Sequence, residues 1–257
     1  MLRGLGIFFD RLNQRRSLRR WEREANRSEN APLSRLRSSA NQAWALRRFL
    51  DRVIHLAEYR LALPAIGTNV IRRPVGTDWA WRPDPWQGPI STTGHASAGT
   101  RTPICSGITL FHDCKISELT VRQIRNTAES DIAPFGLRMD VYQFDGSFLS
   151  LALELPPEAV HGLKQKHIFR LDLIGDMEKP INIFARINVK HGPNVEAIVR
   201  ELPLTSTEAM VEFDLGFSKI NEKRVEKAWI DLIFEGLNMN QVILRDVTLT
   251  RRPRAEL

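Results

Sequence analysis

From about residue 104 onward, apolar side chains recur at every second position, and no other feature constrains the chain as strongly. An extended strand sends successive side chains to opposite faces, whereas a helix returns to a face only every three or four residues. Runs that alternate this way span 106–112, 117–125, 134–144, 147–155, 167–176, 181–190, 195–202, 208–217, 227–235 and 240–251. Turn chemistry separates them. Asp145-Gly146 between two alternating runs reads as a hairpin, His191-Gly192-Pro193-Asn194 as another turn, and Gly236 with Asn238 to Asn240 as the closure of the last pair. Residues 157–165 read as a short helical connection. The expected fold is therefore mainly β, an antiparallel β-sandwich of jelly-roll type over residues 104–257. A hydrophobic fraction of 42% supports a packed core, and two cysteines cannot build a disulfide scaffold, so packing has to hold it.

The period is different before residue 66. Leu2, Leu5, Phe9 and Leu12, with Leu18, Trp21 and Ala25, place a helix over 2–25. After a break at Ser28-Glu29-Asn30, with Asn30 as N-cap and Pro32 in the first turn, a second helix carries one stripe: Leu36, Ala40, Ala43, Arg47, Leu50, Ile54, Ala57 and Leu61. Pro64 and Gly67 stop it. Residues 1–66 thus read as an N-terminal α-helical hairpin. Residues 67–103 lack periodicity and hold five prolines and three of the six tryptophans. Trp79, Trp81 and Trp86 need something to pack on, so 77–90 reads as an extended strap lying on a domain and 91–102 as the mobile part.

Charge is concentrated at one end. Residues 1–62 hold fourteen arginines, no lysine and six carboxylates, a net of +8, while the remainder nets −1. Arginine forms forked contacts to phosphate and carboxylate, so the arm is expected to meet a polyanion through Arg11, Arg15, Arg16, Arg19 and Arg20, unless these simply solvate a helix face. An anionic membrane surface fits, with Leu5, Phe8, Phe9 and Leu12 inserted, as does a protein partner or a second copy with Leu36, Leu50, Ile54 and Leu61 as the seam. Nucleic acid is the lesser expectation. The apolar run Leu5–Phe9 ends at Asp10-Arg11, too short for a secretory signal, and no stretch is long enough to span a bilayer. The expected location is the cytoplasm, with a peripheral position at the membrane.

The alternation also tells which side chains face outward. Arg170, Asp172 and Asp176 oppose the apolar side of their strand, as do Asn182, Phe184, Arg186, Asn188 and Lys190, and Glu212 and Asp214. Strand 134–144 adds Arg138, Asp140 and Tyr142. If these strands share a sheet, Arg170, Asp172, Arg186, Asn188 and Asp214 offer fixed donors and acceptors for sugar hydroxyls, with Tyr142 or a strap tryptophan, Trp79 or Trp81, to stack on the ring. The competing account is an ordinary half-exposed sheet showing polar residues to water.

The runs Glu226-Lys227-Ala228-Trp229-Ile230-Asp231-Leu232-Ile233-Phe234-Glu235 and Val242-Ile243-Leu244-Arg245-Asp246-Val247-Thr248-Leu249 resemble the last two strands of galactose-binding-like jelly rolls, the sandwiches used by many carbohydrate-binding modules. The whole chain is similar to an alphaproteobacterial family of unknown function. That similarity is carried by Leu63-Pro64-Ala65-Ile66-Gly67, Gly76-Thr77-Asp78-Trp79-Ala80-Trp81-Arg82-Pro83 and Phe144-Asp145-Gly146-Ser147-Phe148-Leu149-Ser150-Leu151. The first resemblance implies a sugar-binding type of sandwich; the second implies a bacterial origin and transfers no activity.

Catalytic signatures are missing: no phosphate-binding glycine loop, zinc-protease helix motif or calcium loop occurs. Gly94-His95-Ala96-Ser97-Ala98-Gly99 has the wrong spacing for a nucleophile elbow. Cys105, His112 and Cys114 offer three soft ligands but no fourth, and buried strand cysteines ordinarily pack as small apolar groups. The remaining histidines are dispersed. Asp172 with Asp214, or Glu212 with Asp231, are carboxylate pairs of the kind glycosidases use, at separations the sequence does not fix. The expectation is a non-enzymatic, cofactor-free and metal-free glycan-binding protein with an Arg-rich arm; the alternative is an adaptor whose sandwich is a scaffold.

Overall fold

The computed structural model describes residues 2–62, 70–203 and 207–254, with side chains left aside at 2–12, 55, 58–62 and 117. The chain forms two units, Met1–Val53 and Ile54–Leu257. In the first, α1 (Leu2–Arg27) leads through a 3-10 turn at Ser28–Asn30 into α2 (Leu33–Ala62), which runs on into the second unit. Asn30 lies within that turn instead of capping α2, and the Pro32 carbonyl accepts the Arg35 and Leu36 N–H groups at the helix start. Arg35 and Ser39, one turn apart and so on one face of α2, both donate to Glu24 of α1, at 3.0 and 2.7 Å. No side chain from 13 to 53 is buried. Along the α2 stripe Ala40, Ala43 and Leu50 are exposed and Leu61 lies outside the described side chains; among the described side chains the two helices meet by polar contacts at their elbow. Pro64 and Gly67, the expected stop, lie outside the described residues.

The second unit is a sandwich of two antiparallel sheets. In chain order its elements are β1 (Trp79–Trp81), α3 (Asp84–Gln87), β2 (Gly94–His95), β3 (Thr102–Cys105), β4 (Ile108–His112), β5 (Ser117–Arg125), β6 (Phe135–Phe144), β7 (Leu149–Glu154), α4 (Pro157–Val160), β8 (His167–Met177), β9 (Asn182–His191), β10 (Asn194–Leu202), β11 (Glu208–Asp214), β12 (Val225–Glu235) and β13 (Asn240–Pro253). One sheet runs β11-β8-β13-β6-β5-β2, with β1 pairing β13; the other runs β10-β9-β12-β7-β4-β3. Each of the ten alternating runs is a strand. The core is made by their inward positions, among them Leu149, Leu151 and Leu153 on β7 and Ile183, Ala185 and Ile187 on β9, all essentially inaccessible. Burying side chains of this size contributes about 1.5–3 kcal/mol each before chain entropy is charged against it.

Most links cross between the sheets, as in a jelly roll. Of the links from β4 to β13, only β5–β6 and β9–β10 stay within one sheet. The β9–β10 hairpin turns at Gly192 (φ +60°) and Pro193, the glycine-first chemistry such two-residue loops require. Asp145-Gly146 is corrected from hairpin to crossover, because β6 and β7 lie in different sheets; so is Gly236–Met239, which joins β12 to β13 across the sandwich. The Asp145 carboxylate accepts the Lys115 N–H at 2.9 Å and the Asp113 carboxylate the Ser147 N–H at 2.8 Å, so the crossover is held by side chains in place of a strand ladder. The run predicted over 208–217 ends at Asp214, whose side chain caps a 3-10 turn by accepting the Gly216 N–H.

Alternation fails part-way along β13. A bulge at Arg245 shifts its inward positions from Val242 and Leu244 to Val247 and Leu249. Its outward Asp246, Thr248 and Thr250 are also buried, because the strap covers that side. Arg82 of the strap is 3% exposed and donates twice to Asp246, at 2.7 and 2.8 Å. The fully buried Trp86 donates its indole N–H to the Leu244 carbonyl at 2.9 Å, beside the bulge. Arg72 holds Glu208 at 2.7 Å, and Arg251 binds Asp78 together with the Ala159 and His161 carbonyls. The strap is thereby built into the sandwich.

Candidate functional site

The outer face of the six-stranded sheet is open, and its side chains fall into registered rows. Arg186, Asp231, Ala152 and Thr109 lie side by side across β9, β12, β7 and β4. The next row is Phe184, Ile233, Ser150 and Phe111, and the row on the other side brings Asn188, Trp229 and Glu154 together. Short side chains at Thr109, Ser150 and Ala152 make a floor, and Trp229, Phe111 and Phe148 stand around it. Long residues beside short ones on a twisted sheet leave a hollow, here of about 400 Å³.

Its polar groups are fixed before any ligand arrives. Asp231, with a side chain 8% exposed, receives Arg186 Nε and Nη2 at 3.0 and 2.9 Å and Asn188 Nδ2 at 2.8 Å. All three bonds fall on Oδ2, and Oδ1 takes no protein hydrogen bond among the described residues. The pairing explains how a carboxylate is tolerated at this depth: a buried charge requires a partner and hydrogen bonds. Lys227 places its ammonium 5.5 Å from the Trp229 ring centre, a cation–π contact that restrains the indole while leaving the lysine exposed. Glu154, exposed, lies diagonal to Asp231 on the neighbouring strand. The hollow therefore offers flat aromatic surface, planar donors and acceptors, and little net charge.

The site residues expected from sequence are distributed over both sheets, because β9 does not share a sheet with β6, β8 and β11. Arg186 and Asn188 lie in or beside the hollow. Arg170 and Asp172 are on the opposite outer face, bonded to each other at 2.6 Å beside Arg72 and Glu208. Asp214 ends β11, where it pairs with Arg254. Tyr142, 55% exposed, lines a separate shallow depression with Arg122, Arg138 and Asp140. Trp79 and Trp81 stack on each other, and Trp79 meets the core residue Phe169 edge-on at 6.1 Å, so both indoles are engaged in packing. Sequence reasoning passed over Trp229, Phe111, Phe148 and Glu154. The signal for Trp229 was present: it shares the outward side of β12 with Asp231, opposite Ala228, Ile230, Leu232 and Phe234.

The model described as "Family of unknown function (DUF6478)" matches residues 1–257. The chain belongs to this family. No curated protein matches it. Among solved structures, this DUF6478 member is similar to the enzymatically active domain of tailspike protein 4 of bacteriophage CBA120, at 12% identity and a TM-score of 0.41, over 63% of this chain and 22% of that one. It is similar to the family 11 carbohydrate-binding module of Clostridium thermocellum in complex with a β-1,3-1,4-mixed-linked tetrasaccharide, at 12% identity and a TM-score of 0.38, over 65% of this chain and 99% of that one. TmCBM61 in complex with β-1,4-galactotriose matches at 18% identity and a TM-score of 0.34, over 59% and 90%.

In this DUF6478 chain the three soft groups near β4 do not converge. His112 is turned to the Ala98 carbonyl through Nε2 at 3.0 Å and accepts the Cys114 N–H at Nδ1, and the Cys114 thiol donates to Asp145. Burial pushes the Cys105 thiol up to about 12. No cluster of metal-ligating side chains occurs among the described residues. Nor is any described helix long and apolar enough to cross a membrane.

Proposed function

We propose that this protein binds a glycan, without cleaving it, in the hollow on the outer face of its six-stranded sheet. One observation carries the reading: Trp229, Phe111 and Phe148 surround a small-residue floor into which a pre-fixed Arg186–Asp231–Asn188 network opens. A pyranose presents an apolar face to an aromatic ring and a rim of hydroxyls to planar donors and acceptors, and this surface supplies both. The opposite sheet is not available in the same way, since the strap covers its centre. Asp231 is tied by three hydrogen bonds, which suits it to holding a sugar better than to carrying a proton to a leaving oxygen. The test is a glycan array followed by titration with Trp229→Ala. Binding by the wild type should fall by about tenfold or more in the variant, in line with loss of one stacking partner worth about 1.5 kcal/mol beyond its buried area. Undiminished binding would move the site elsewhere, and release of shortened sugars would make the protein an enzyme.

The arm is assigned a separate part. We propose that Arg15, Arg16, Arg19 and Arg20, with Arg11 beyond the described side chains, hold a polyanionic surface. All four are exposed on α1, and none has an ion pair to a carboxylate among the described residues. Elution from heparin at lower salt after their replacement by Glu supports the assignment; unchanged elution removes it.

A further inference from the structure

One face of α2 changes character along its length. Arg35, Ser39 and Gln42 share a face lining a hollow beside Trp21 and Glu24 of α1. One turn on, Leu46, Phe49, Leu50 and Val53 continue that face at spacings of three and four, within one arc of the helix. They are 39, 67, 51 and 63% exposed, so no described side chain of the unit buries them. The opposite arc carries Arg47, Arg48 and Arg52, with a single acid, Asp51, already bonded to Arg47 at 3.3 Å. A helix without a packed core gains little from its own propensity, and a contiguous apolar face of this kind marks a surface that meets something.

Charge decides the occupant. Residues 13–53 contain eleven arginines and four carboxylates. Of these acids, Glu24 is held by Arg35 and Ser39, and Asp51 by Arg47. A second copy would set like charge against like charge, with only Glu22 and Glu29 left to answer it. An anionic bilayer accepts both halves of the pattern, apolar side chains among the acyl chains and guanidinium groups at the phosphates. We infer that α2 lies in the interface of an anionic phospholipid bilayer, with Phe49 and Val53 sunk below the headgroups and Arg47, Arg48 and Arg52 at their level.

The inference rests on the arm being the polyanion contact, and the test separates the two. Full-length protein is floated with phosphatidylserine–phosphatidylcholine vesicles and with phosphatidylcholine vesicles alone, and is passed over heparin. Wild type should float with the anionic vesicles only. Phe49→Asp with Val53→Asp should weaken flotation by about tenfold or more, the charge-neutral Phe49→Ser with Val53→Ser should weaken it as well while leaving heparin elution unchanged, and Phe49→Leu should retain binding. Equal helical circular dichroism in all variants shows that the arm is folded. Flotation unaffected by the Asp pair but lost on replacing the α1 arginines by Glu overturns insertion and leaves the arm reading standing. Heparin elution unaffected by the arginine replacements removes the arm reading as well. No flotation, with a wild-type dimer in sedimentation that the Asp pair dissolves, makes a second copy the occupant and overturns the inference.

Discussion

Replacing Asp246 by Ala tests whether the strap is part of the fold or merely lies on it. The carboxylate is 7% exposed and receives both Arg82 contacts, at 2.7 and 2.8 Å, across 164 residues of sequence. Removing it takes both of these charge-assisted hydrogen bonds from a guanidinium that is 3% exposed. Breaking one side of a buried ion pair typically costs about 3–5 kcal/mol, because the remaining charge has lost its solvation and its partner together. For a unit the size of Ile54–Leu257 each kcal/mol moves Tm by about 2–4 °C, so the expected drop is about 6–20 °C. The assay is thermal and urea unfolding of the full chain, followed by the Arg82→Met/Asp246→Leu double variant. An apolar pair of similar volume should recover most of the loss, since it removes both desolvation costs at once. A single variant within about 1 kcal/mol of wild type would refute the reasoning and reduce the strap to a surface attachment.

Three further outcomes follow from individual contacts. Gly146→Ala should lower the urea midpoint by the equivalent of about 1–3 kcal/mol, since the new Cβ would sit 2.5 Å from Asp113 Oδ1 and 2.9 Å from the Cys114 nitrogen. The Glu24 carboxyl, held at about 2 by the Arg35 and Ser39 hydrogen bonds, should titrate there by NMR. Its folded value is depressed, so the elbow contact is complete above the ordinary carboxylate range near 4.5 and is lost as pH falls toward 2; a midpoint near 4.5 would mean that the elbow does not persist in solution. Cys105, raised to about 12 by burial, should resist alkylation at pH 8 until the sandwich is unfolded, as mass spectrometry after iodoacetamide would show; rapid labelling of the native protein would contradict its burial.

The ten long strands were legible because alternation is a property of each strand alone. The strand Ile183-Phe184-Ala185-Arg186-Ile187-Asn188-Val189 states which side chains are inward regardless of its neighbours. Sheet membership is not local in this sense. Asp145-Gly146 has the composition of a hairpin turn, yet the chain leaves one sheet there for the other, and the deciding interactions come from Asp113 and from Asp145 itself, reaching across to the end of β4. β1, β2 and β3 escaped notice for a related reason: Trp79–Trp81 and Gly94–His95 are too short to show a period, and each is extended only because β13 or β5 offers it a ladder. The helical arm shows the limit from the other side. Its stripe of Leu and Ala predicted a helix with one apolar face, and an apolar period says that a face seeks cover without saying what provides it.

The same distinction explains why the predicted site was split and where the better candidate lies. Both sheets carry arginines, aspartates and an occasional aromatic on their outward positions, so composition cannot rank them. Cover can. On the seven-stranded sheet the outward Asp246 is already bonded to Arg82, and Thr250 is buried in the ladder beside Ala80 of β1, so their polarity serves the fold. On the six-stranded sheet Asp231 is equally deep, but its neighbours in the row are Ala152 and Thr109, which leave the space above it open, and the large side chains nearby border that space without filling it. A buried ion pair is weak evidence of stability by itself, and the Arg82–Asp246 pair joins the strap to β13. At Arg186–Asp231–Asn188 all three bonds fall on Asp231 Oδ2 at the edge of an open hollow, which is why the proposed glycan site is placed on this sheet and tested through Trp229.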